Sequence, residues 1–475
     1  MLTFVNRSQE LKALNDRWQG HRPELMVLYG RRRVGKSALI QDFCHGKPYA
    51  YFLATRVTPT DARASFRDVL RLATGNTLLD HAHFDTWEAA LNTALDVMTQ
   101  AAAATRGRFC LVLDEFQYLC EASPELPSVL QKWWDTRAKE SRCMLILCGS
   151  HISFMEAEVL AERSPLFGRR TGQMRMHPLT AWHAGLFLPG WSPLEKLKAF
   201  AVLGGVPAYL ERFNPQADLR TNVLRELLSS DGYLYDEVNF LLRTELGQAH
   251  TYLSLLKAIA GGATRVSEIA SRTAIPVTSL SKPLNILVDL GFVSRDVPFT
   301  EENPHKSKRG IYGVSDPFTR FWCRYVLPNA SLVAEGRGEL VWDRFIEPDL
   351  PTHLGLVFEE LCRSFVQAQV HRLVPGEYAL RVGRQWDRDG ELDVLATLTD
   401  GSMLVGECKA WRGPVGLNVL EKLKDREKSL GGMERKRLAL FSTAGFSPEV
   451  EAAAERGDVI LVRLEEILGD ESAPG

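Results

Sequence analysis

An apolar segment that runs directly into a glycine-rich loop is the feature that most constrains the fold of this chain. Residues 25–29 are Leu-Met-Val-Leu-Tyr, and residues 30–37 are Gly-Arg-Arg-Arg-Val-Gly-Lys-Ser. This spacing lets backbone N–H groups converge on a phosphate, while the lysine reaches the β and γ oxygens and the serine hydroxyl ligates Mg²⁺. The pattern predicts a phosphate-binding loop between a buried strand and a helix, with these nucleotide contacts: Gly30, Arg31, Arg32, Arg33, Val34, Gly35, Lys36 and Ser37.

Two adjacent carboxylates follow a second apolar segment. Residues 109–113 are Phe-Cys-Leu-Val-Leu, and Asp114 and Glu115 come directly after them. Parallel strands of a doubly wound sheet present such groups at their carboxyl edge. Asp114 is therefore expected to hold Mg²⁺ together with Ser37, and Glu115 to polarise the water that attacks the γ-phosphate. The alternative is a strand that leads into an acidic helix start.

Three further polar residues follow in the same part of the chain. Ser150 ends the apolar segment 143–149 and is placed to sense the γ-phosphate, although a plain strand-to-turn junction fits the sequence equally well. Arg169 and Arg170 follow a loop that contains proline and glycine. An exposed arginine pair suits an arginine finger, supplied in cis or by a neighbouring subunit, whereas solvated or salt-bridged arginines are the common alternative. A finger in trans requires a homo-oligomer.

Taken in order, these motifs resemble the archaeal-type ATPase family found in archaea and bacteria. The resemblance rests on the loop at 30–37 and on motifs at 4–11 (Phe-x-Asn-Arg-x-x-Glu-Leu), 113–119 (Leu-Asp-Glu-Phe-Gln-Tyr-Leu), 148–155 (Cys-Gly-Ser-x-x-Ser-Phe-Met), 165–171 (Pro-Leu-Phe-Gly-Arg-Arg-Thr) and 204–210 (Gly-Gly-Val-Pro-Ala-Tyr-Leu). It implies a P-loop fold related to AAA+ and STAND ATPases, with ATP as the nucleotide. It also implies Asp114 and Glu115 as the acidic pair, Ser150 as a sensor, and a small helical lid around 204–210.

The composition is that of a multidomain protein without a strong overall charge. With 475 residues and a net charge of −2, the chain is long enough for about three domains, and any contact with nucleic acid must come from local basic patches. Eight cysteines without a Cys-x-x-Cys pair indicate neither a disulfide framework nor a zinc site. No secretion signal or long apolar segment is present in the sequence. These features predict a cytoplasmic protein that does not enter membranes.

Residues 216–335 are predicted to form a helical and winged-helix domain. Two short helical segments, 266–274 and 277–290, are followed by a segment to residue 312 that suits a hairpin wing. The second helical segment has Lys282 as its only cation, opposed by Asp289, whereas the basic cluster at 305–309 lies in the wing. A DNA-contacting wing and a module that serves as a protein contact or spacer are both compatible with this charge pattern.

Residues 345–475 carry a second group of charged residues on alternating strand patterns. Asp393 lies in one such strand, and Glu407 and Lys409 share a face of the next. Two carboxylates can hold Mg²⁺ or Mn²⁺ against a scissile phosphate, and the lysine can orient the attacking water. The spacing resembles the PD-(D/E)xK nuclease core, with Glu359 at the place of its helix-borne glutamate, although Leu392 stands where that motif has proline. A surface salt-bridge pair is the alternative for Glu407 and Lys409.

The sequence thus predicts an α/β multidomain chain. It consists of a parallel-sheet P-loop ATPase domain of the ASCE type with a small lid (1–215), the helical and winged-helix domain (216–335) and a restriction-endonuclease-like domain (345–475). The predicted function is ATP binding and hydrolysis combined with metal-dependent action on DNA. A rival hypothesis is an ATP-switched regulator that binds DNA or protein and whose nuclease-like domain is inert. A third is a component of a defence or toxin-like system whose nuclease awaits an unidentified trigger.

Overall fold

The computed structural model describes residues 5–20, 22–246, 249–388, 390–430 and 435–469. The chain forms two compact units, residues 1–178 and 179–475. The domain boundaries predicted after residues 215 and 335 remain predictions. Among the helices of the described ranges, none combines the length and the apolar character needed to cross a membrane.

A five-stranded sheet forms the centre of the first unit. Its strands are β1 (Glu24–Tyr29), β2 (Tyr49–Leu53), β3 (Phe109–Asp114), β4 (Cys143–Gly149) and β5 (Gly172–Arg175). They pair in parallel in the order β2-β3-β4-β1-β5. Strands β3 and β4 are buried along their whole length, as continuous apolar segments require in a parallel sheet covered on both faces. The predicted parallel sheet of a P-loop ATPase is therefore confirmed.

Helices cover both faces of this sheet. They are α1 (Ser8–Gln19), α2 (Lys36–Cys44), α3 (Pro59–Thr74), α4 (Trp87–Ala101), α5 (Phe116–Ala122), α6 (Leu126–Thr136) and α7 (Ile152–Phe154). On one face, Leu14 of α1 and Phe43 of α2 pack against Met26 of β1. On the other face, the ring of Phe52 in β2 lies 5.3 Å from the ring of Phe66 in α3. Because strand side chains alternate between faces, both layers bury apolar side chains against the same strands.

The carboxyl ends of the central strands meet at one edge of the sheet. Strand β1 leads into the glycine-rich loop, β3 ends at Asp114, and β4 ends at Gly149, directly before Ser150. Strand β4 lies between β3 and β1, so the three strand ends are neighbours. This edge is where ligands bind in open parallel sheets.

The second unit contains many short helices and one long one. They are α8 (Ala181–Gly185), α9 (Pro193–Leu203), α10 (Pro207–Leu210), α11 (Leu219–Glu226), α12 (Glu237–Glu245), α13 (Ala249–Ala260), α14 (Val266–Thr273), α15 (Val277–Asp289), α16 (Pro317–Phe321), α17 (Ala330–Ala334), α18 (Gly338–Val341), α19 (Leu350–Gln369), α20 (Leu417–Ser429), α21 (Pro448–Glu455) and α22 (Leu464–Ile467). Helix α19 spans 20 residues, and its buried face includes Val357, Phe358 and Phe365.

A two-stranded hairpin follows helices α14 and α15. Its antiparallel strands are β6 (Val293–Asp296) and β7 (Ile311–Val314). The structure thus contains two short helices and a hairpin at the positions predicted from the sequence. The assignment of these elements to a winged-helix module remains a prediction.

A mixed five-stranded sheet forms the centre of the remaining part of the second unit. Its strands are β8 (Ala379–Trp386), β9 (Glu391–Leu398), β10 (Met403–Lys409), β11 (Lys436–Ser442) and β12 (Ile460–Arg463), in the order β12-β11-β10-β9-β8. Strand β9 is antiparallel to both neighbours, whereas β10, β11 and β12 are parallel. Phe358 and Phe365 of α19 pack on one face of the sheet. Leu420 of α20 and Val450 of α21 pack on the other.

The segment between β6 and β7 lies along β8, the edge strand of the mixed sheet. The backbone N–H of Phe299 donates to the carbonyl oxygen of Arg384 over 2.9 Å, and that of Thr300 donates to Oε1 of Gln385 over 3.1 Å. The Arg309 guanidinium donates to a further backbone carbonyl of the strand. These contacts cover a strand edge that would otherwise expose unpaired backbone groups.

Candidate functional site

The glycine-rich loop has the geometry of an anion cradle. A Cβ on Gly30 would lie 2.4 Å from the carbonyl oxygen of Met176, and Gly35 has a φ of 94°, which favours glycine. Nζ of the buried Lys36 donates to the carbonyl oxygens of Gly30, at 2.8 Å, and Arg31, at 2.9 Å. The lysine is therefore held inside the loop, where it can exchange these carbonyls for phosphate oxygens.

Ser37 and Asp114 are in direct contact. The Ser37 hydroxyl donates to Oδ2 of Asp114 over 2.8 Å, and the Tyr51 hydroxyl donates to the same oxygen. Burial raises the pKa of Tyr51, and the adjacent Asp114 carboxylate raises it further. Two oxygens at this separation fit neighbouring positions of octahedral Mg²⁺, whose metal–oxygen distances are about 2.0–2.1 Å. The residues predicted to hold the metal are thus placed together.

Glu115 is held by a polar network at the ends of β3 and β4. The Ser150 hydroxyl donates to Oε2 of Glu115 over 2.7 Å. Nε2 of Gln117 donates to the same carboxylate oxygen and, over 3.2 Å, to the Ser150 hydroxyl. Gln117 is 1% exposed, and the sequence analysis did not single it out. Its position two residues after Glu115, at the start of a helix, is the sequence signal that could have revealed it.

Arg7 is a second residue that the sequence analysis did not assign to the site. Its guanidinium donates to the carbonyl oxygen of Val34 in the loop, over 3.0 Å, and to that of His177, over 2.8 Å. It also pairs with Glu10 at 3.0 Å. This buried cation therefore ties the N-terminal segment to the backbone of the glycine-rich loop.

Arg169 and Arg170 have partners elsewhere in the first unit. The Arg169 guanidinium donates twice to Oδ2 of Asp135, over 2.9 and 3.0 Å. Arg170 donates to the carbonyl oxygen of Leu160 over 2.9 Å, and its guanidinium lies 5.7 Å from the ring centre of Phe167. Among the described residues, neither arginine forms a hydrogen bond with the glycine-rich loop at 30–37. The arginine-finger role remains a prediction.

The second group of charges lies on β9 and β10. Oδ2 of Asp393 accepts the backbone N–H of Cys408 over 2.8 Å, and Nζ of Lys409 donates to Oε1 of Glu407 over 2.6 Å. The other Glu407 oxygen, Oε2, is buried and has no hydrogen-bond partner among the described residues. A buried carboxylate oxygen without a donor suits a cation. No cluster of three or more histidine, cysteine or acidic residues suited to a metal occurs in the described ranges.

Burial and neighbouring charges perturb the acids of this second centre. Burial raises the pKa of Asp393 to about 6, with a further contribution from the Glu407 charge. Burial also raises the pKa of Glu359, on helix α19, to about 7, and the Asp393 charge adds to this effect. For Lys409, burial lowers the pKa, but the hydrogen bond and the charge of Glu407 outweigh it, so the pKa is raised. These carboxyls repel one another electrostatically, which a bound cation would relieve.

Comparison with known proteins finds an ATPase domain in the first part of the chain. The model of an ATPase domain predominantly from Archaea matches residues 4–213. A family of archaeal and bacterial proteins of unknown function matches residues 322–424. The first match contains the glycine-rich loop with Asp114 and Glu115, and the second contains Glu359, Asp393, Glu407 and Lys409.

Relatives extend the similarity over nearly the whole chain. An uncharacterized protein of Methanocaldococcus jannaschii is 32% identical over 470 residues, which are 98% of this chain and 99% of the relative. An uncharacterized ATP-binding protein of the same organism is 47% identical over 47 residues, 10% of this chain and 80% of that protein. The solved Walker-type ATPase of Pyrococcus abyssi shares the fold, with a TM-score of 0.51 at 20% identity over 68% of this chain and 96% of that one. This chain therefore belongs to the same family as the uncharacterized protein of Methanocaldococcus jannaschii, and its residues 4–213 match an ATPase domain found predominantly in Archaea.

Proposed function

We propose that this chain binds and hydrolyses ATP at the glycine-rich loop and that its second unit cleaves phosphodiester bonds of DNA with the help of a divalent cation. The observation that carries the ATPase proposal is the convergence of Lys36, Ser37, Asp114 and Glu115 at one sheet edge. These are the groups that phosphoryl transfer to water requires. The match of residues 4–213 to an ATPase domain supports the same activity.

Each residue of the nucleotide site has a distinct task. Backbone N–H groups of the loop bind the β-phosphate, and Lys36 offsets charge on the transferring phosphoryl group. Ser37 and Asp114 would hold Mg²⁺, which neutralises charge on the β and γ oxygens when bound. Glu115 orients the attacking water and accepts its proton. Ser150 and Gln117 fix the Glu115 carboxylate in the orientation that this step requires.

The nuclease part of the proposal rests on the second centre and on the order of elements around it. Helix α19, strands β8 to β10, helix α20 and strand β11 follow the order of a restriction-endonuclease-like core. Asp393 and Glu407 would hold Mg²⁺ or Mn²⁺, which activates water and stabilises charge on the phosphate when bound. Lys409 orients the nucleophile and offsets charge on the scissile phosphate. The buried Glu407 oxygen without a donor supports this assignment.

A second candidate function is an ATP-switched regulator with an inert nuclease-like sheet. The observation in its favour is that Lys409 already pairs with Glu407, and the Cys408 N–H already satisfies Asp393. These contacts compensate part of the charge of the cluster without a cation. In this alternative the α14–α15 helices and the hairpin would contact DNA or a protein, and ATP hydrolysis would be slow. The third hypothesis, a defence-type role with an external trigger, differs from the regulator alternative because it requires an active nuclease.

An arginine finger supplied by a neighbouring subunit extends the ATPase proposal. Arg169 is paired with Asp135 in the single chain, so a finger role requires this pair to open in an assembly. In a homo-oligomer with such a finger, specific ATPase activity rises with protein concentration. Flat specific activity across a dilution series from oligomer to monomer would exclude a finger in trans.

The proposed function is tested with purified full-length protein and a panel of nucleic acids. Phosphate release is measured with ATP and Mg²⁺, and cleavage is measured on linear, branched and single-stranded DNA and on RNA with Mg²⁺ or Mn²⁺, with and without ATP. Asp393→Ala is the matched control for cleavage. The nuclease proposal fails if wild type cuts no substrate beyond the Asp393→Ala background, and the regulator alternative is then favoured.

A further inference from the structure

A groove of about 700 Å³ lies between the β6–β7 hairpin, helix α19 and the edge strand β8. All its walls belong to the second unit. Four arginines and two carboxylates contribute to its lining, which leaves an excess of two positive charges: Arg295, Arg363, Arg381, Arg384, Asp296 and Glu360.

Both carboxylates of the groove already have cationic partners. Asp296 pairs with Arg384 at 2.9 Å, and Glu360 pairs with Arg320, which does not line the groove. The exposed guanidinium of Arg381 lies over the ring of Phe299, 4.7 Å from its centre, and makes no hydrogen bond or ion pair with another described residue. The groove therefore presents an uncompensated guanidinium on an aromatic support.

Arg363 links the groove to the second centre. Its Nη1 donates to the backbone carbonyl oxygen of Asp393 over 2.8 Å, and it lies 3.9 Å from the carboxylate of Glu359. Ser364 and Gln367, on the same helix, are exposed and line the groove. A polymer bound in the groove would thus be separated from Asp393 only by the side chain of Arg363.

We infer that this groove binds the sugar–phosphate backbone of a single strand of nucleic acid and leads it to the Asp393 centre. This inference rests on the proposed nuclease function. Guanidinium groups bind phosphate oxygens through two coplanar hydrogen bonds, and positively charged grooves bind along single-stranded backbones. The volume is within the range of about 300–1,000 Å³ for small-ligand sites, which accommodates a few nucleotides of one strand rather than a duplex.

Binding is tested by fluorescence anisotropy of full-length protein with a labelled oligothymidine, in EDTA so that no cleavage occurs. Arg381→Ala is expected to weaken binding at least about fivefold and to reduce the slope of log affinity against log salt by about 0.7, the value for one lost phosphate contact on a single strand. Arg381→Lys keeps the charge and should restore much of the affinity. Arg372→Ala, an exposed arginine of the same unit outside the groove, should bind like wild type.

A second pair of variants adds a negative charge instead of removing a positive one. Ser364→Glu places a carboxylate in the groove and should weaken oligothymidine binding at least about fivefold. Thr352→Glu adds the same charge at an exposed position near the start of α19 and should leave binding unchanged. Circular dichroism melting curves of all variants establish that each is folded.

The inference is overturned if wild type does not bind the oligonucleotide, if Arg381→Ala and Ser364→Glu bind like wild type, or if the controls lose as much affinity as the groove variants. It is also overturned if duplex DNA binds as tightly as the single strand and responds equally to the groove variants. Groove-dependent binding without any metal-dependent cleavage by wild type would instead contradict the proposed nuclease function and leave the groove assignment standing.

Discussion

The Ser37 hydroxyl donates a hydrogen bond of 2.8 Å to the carboxylate of Asp114, 77 residues further along the chain. Ser37 lies in helix α2, after β1 and the glycine-rich loop, whereas Asp114 is the last residue of β3, and β4 separates these two strands in the sheet. Their contact therefore depends on the order in which the parallel strands are arranged. An order that placed β1 and β3 further apart would separate the hydroxyl from the carboxylate and remove the pair of oxygen ligands that the site offers to a cation.

Substitutions of Lys36 and Glu115 should separate nucleotide binding from hydrolysis. Lys36→Ala removes the cation that contacts the phosphates, so we expect an ATP affinity lower by about 100-fold. Glu115→Gln keeps the shape of the side chain but cannot accept a proton, so ATP should bind while phosphate release slows by about 100-fold or more. Binding is measured by calorimetry and hydrolysis by phosphate release. Wild-type turnover of Glu115→Gln would show that Glu115 is not the base.

Gln117 should act through Glu115 rather than on ATP directly. Gln117→Leu removes a donor to the Glu115 carboxylate, so kcat should fall about tenfold or more while KM for ATP changes little, because only water orientation is affected. Gln131→Leu, on helix α6 of the same unit, is the matched control. A rise in KM at constant kcat would contradict the positioning role.

Arg7 should support the loop from outside. Arg7→Ala breaks hydrogen bonds to the carbonyls of Val34 and His177, so we expect a loss of about 1–3 kcal/mol in the free energy of unfolding of the first unit and weaker ATP binding. Lys12→Ala, which removes an exposed ion pair on helix α1, is the control and should cost less than about 1 kcal/mol. Thermal melting with and without ATP measures both effects. Equal losses in the two variants would contradict a specific role for Arg7.

The nucleotide site was largely predictable from the sequence, since its residues occur in short contiguous motifs. The loop at 30–37 and the carboxylates at the end of β3 depend on local spacing and on the general geometry of parallel strands. Arg7 and Gln117 were missed because their roles depend on tertiary packing: Arg7 contacts a carbonyl 170 residues away, and Gln117 contacts Ser150, 33 residues away. No local pattern encodes such contacts.

In the second unit, too, local strand patterns were predictable from the sequence, whereas tertiary contacts were not. Strands β9 and β10 have apolar alternation that the sequence analysis recognised, and the structure contains them at residues 391–398 and 403–409. Strand β8 was not predicted, because it is half-exposed and carries two arginines that mask any apolar pattern. The covering of β8 by the hairpin segment, and hence the groove, could not be predicted without β8.

The stability of the second unit should depend on the protonation of Glu359. Its pKa is raised from the usual 4.5 to about 7, so between these values the native state binds more protons than the unfolded state, and stability falls as pH rises. Glu359→Gln removes the buried charge. The free energy of unfolding of the variant should match that of wild type below about pH 4.5 and exceed it by about 2 kcal/mol above pH 7.

Denaturant unfolding in EDTA at pH 4.5 and pH 8 measures this difference. Glu347→Gln, at an exposed position of the same unit, is the control and should stay within about 0.5 kcal/mol of wild type at both pH values. A Glu359→Gln effect that is the same at pH 4.5 and pH 8 would show that the carboxylate charge does not destabilise the native state.

The separability of two metal-dependent centres on one chain is the central claim, and one reaction tests it most directly. Phosphate release and DNA cleavage are measured in the same sample, with ATP and Mg²⁺ or Mn²⁺, for wild type, Lys36→Ala and Asp393→Ala. We predict that wild type shows both activities, that Asp393→Ala and likewise Lys409→Ala lose cleavage but keep ATPase activity, and that Lys36→Ala loses ATPase activity. If a folded Asp393→Ala variant loses ATPase activity, or if it still cleaves DNA, the account is contradicted.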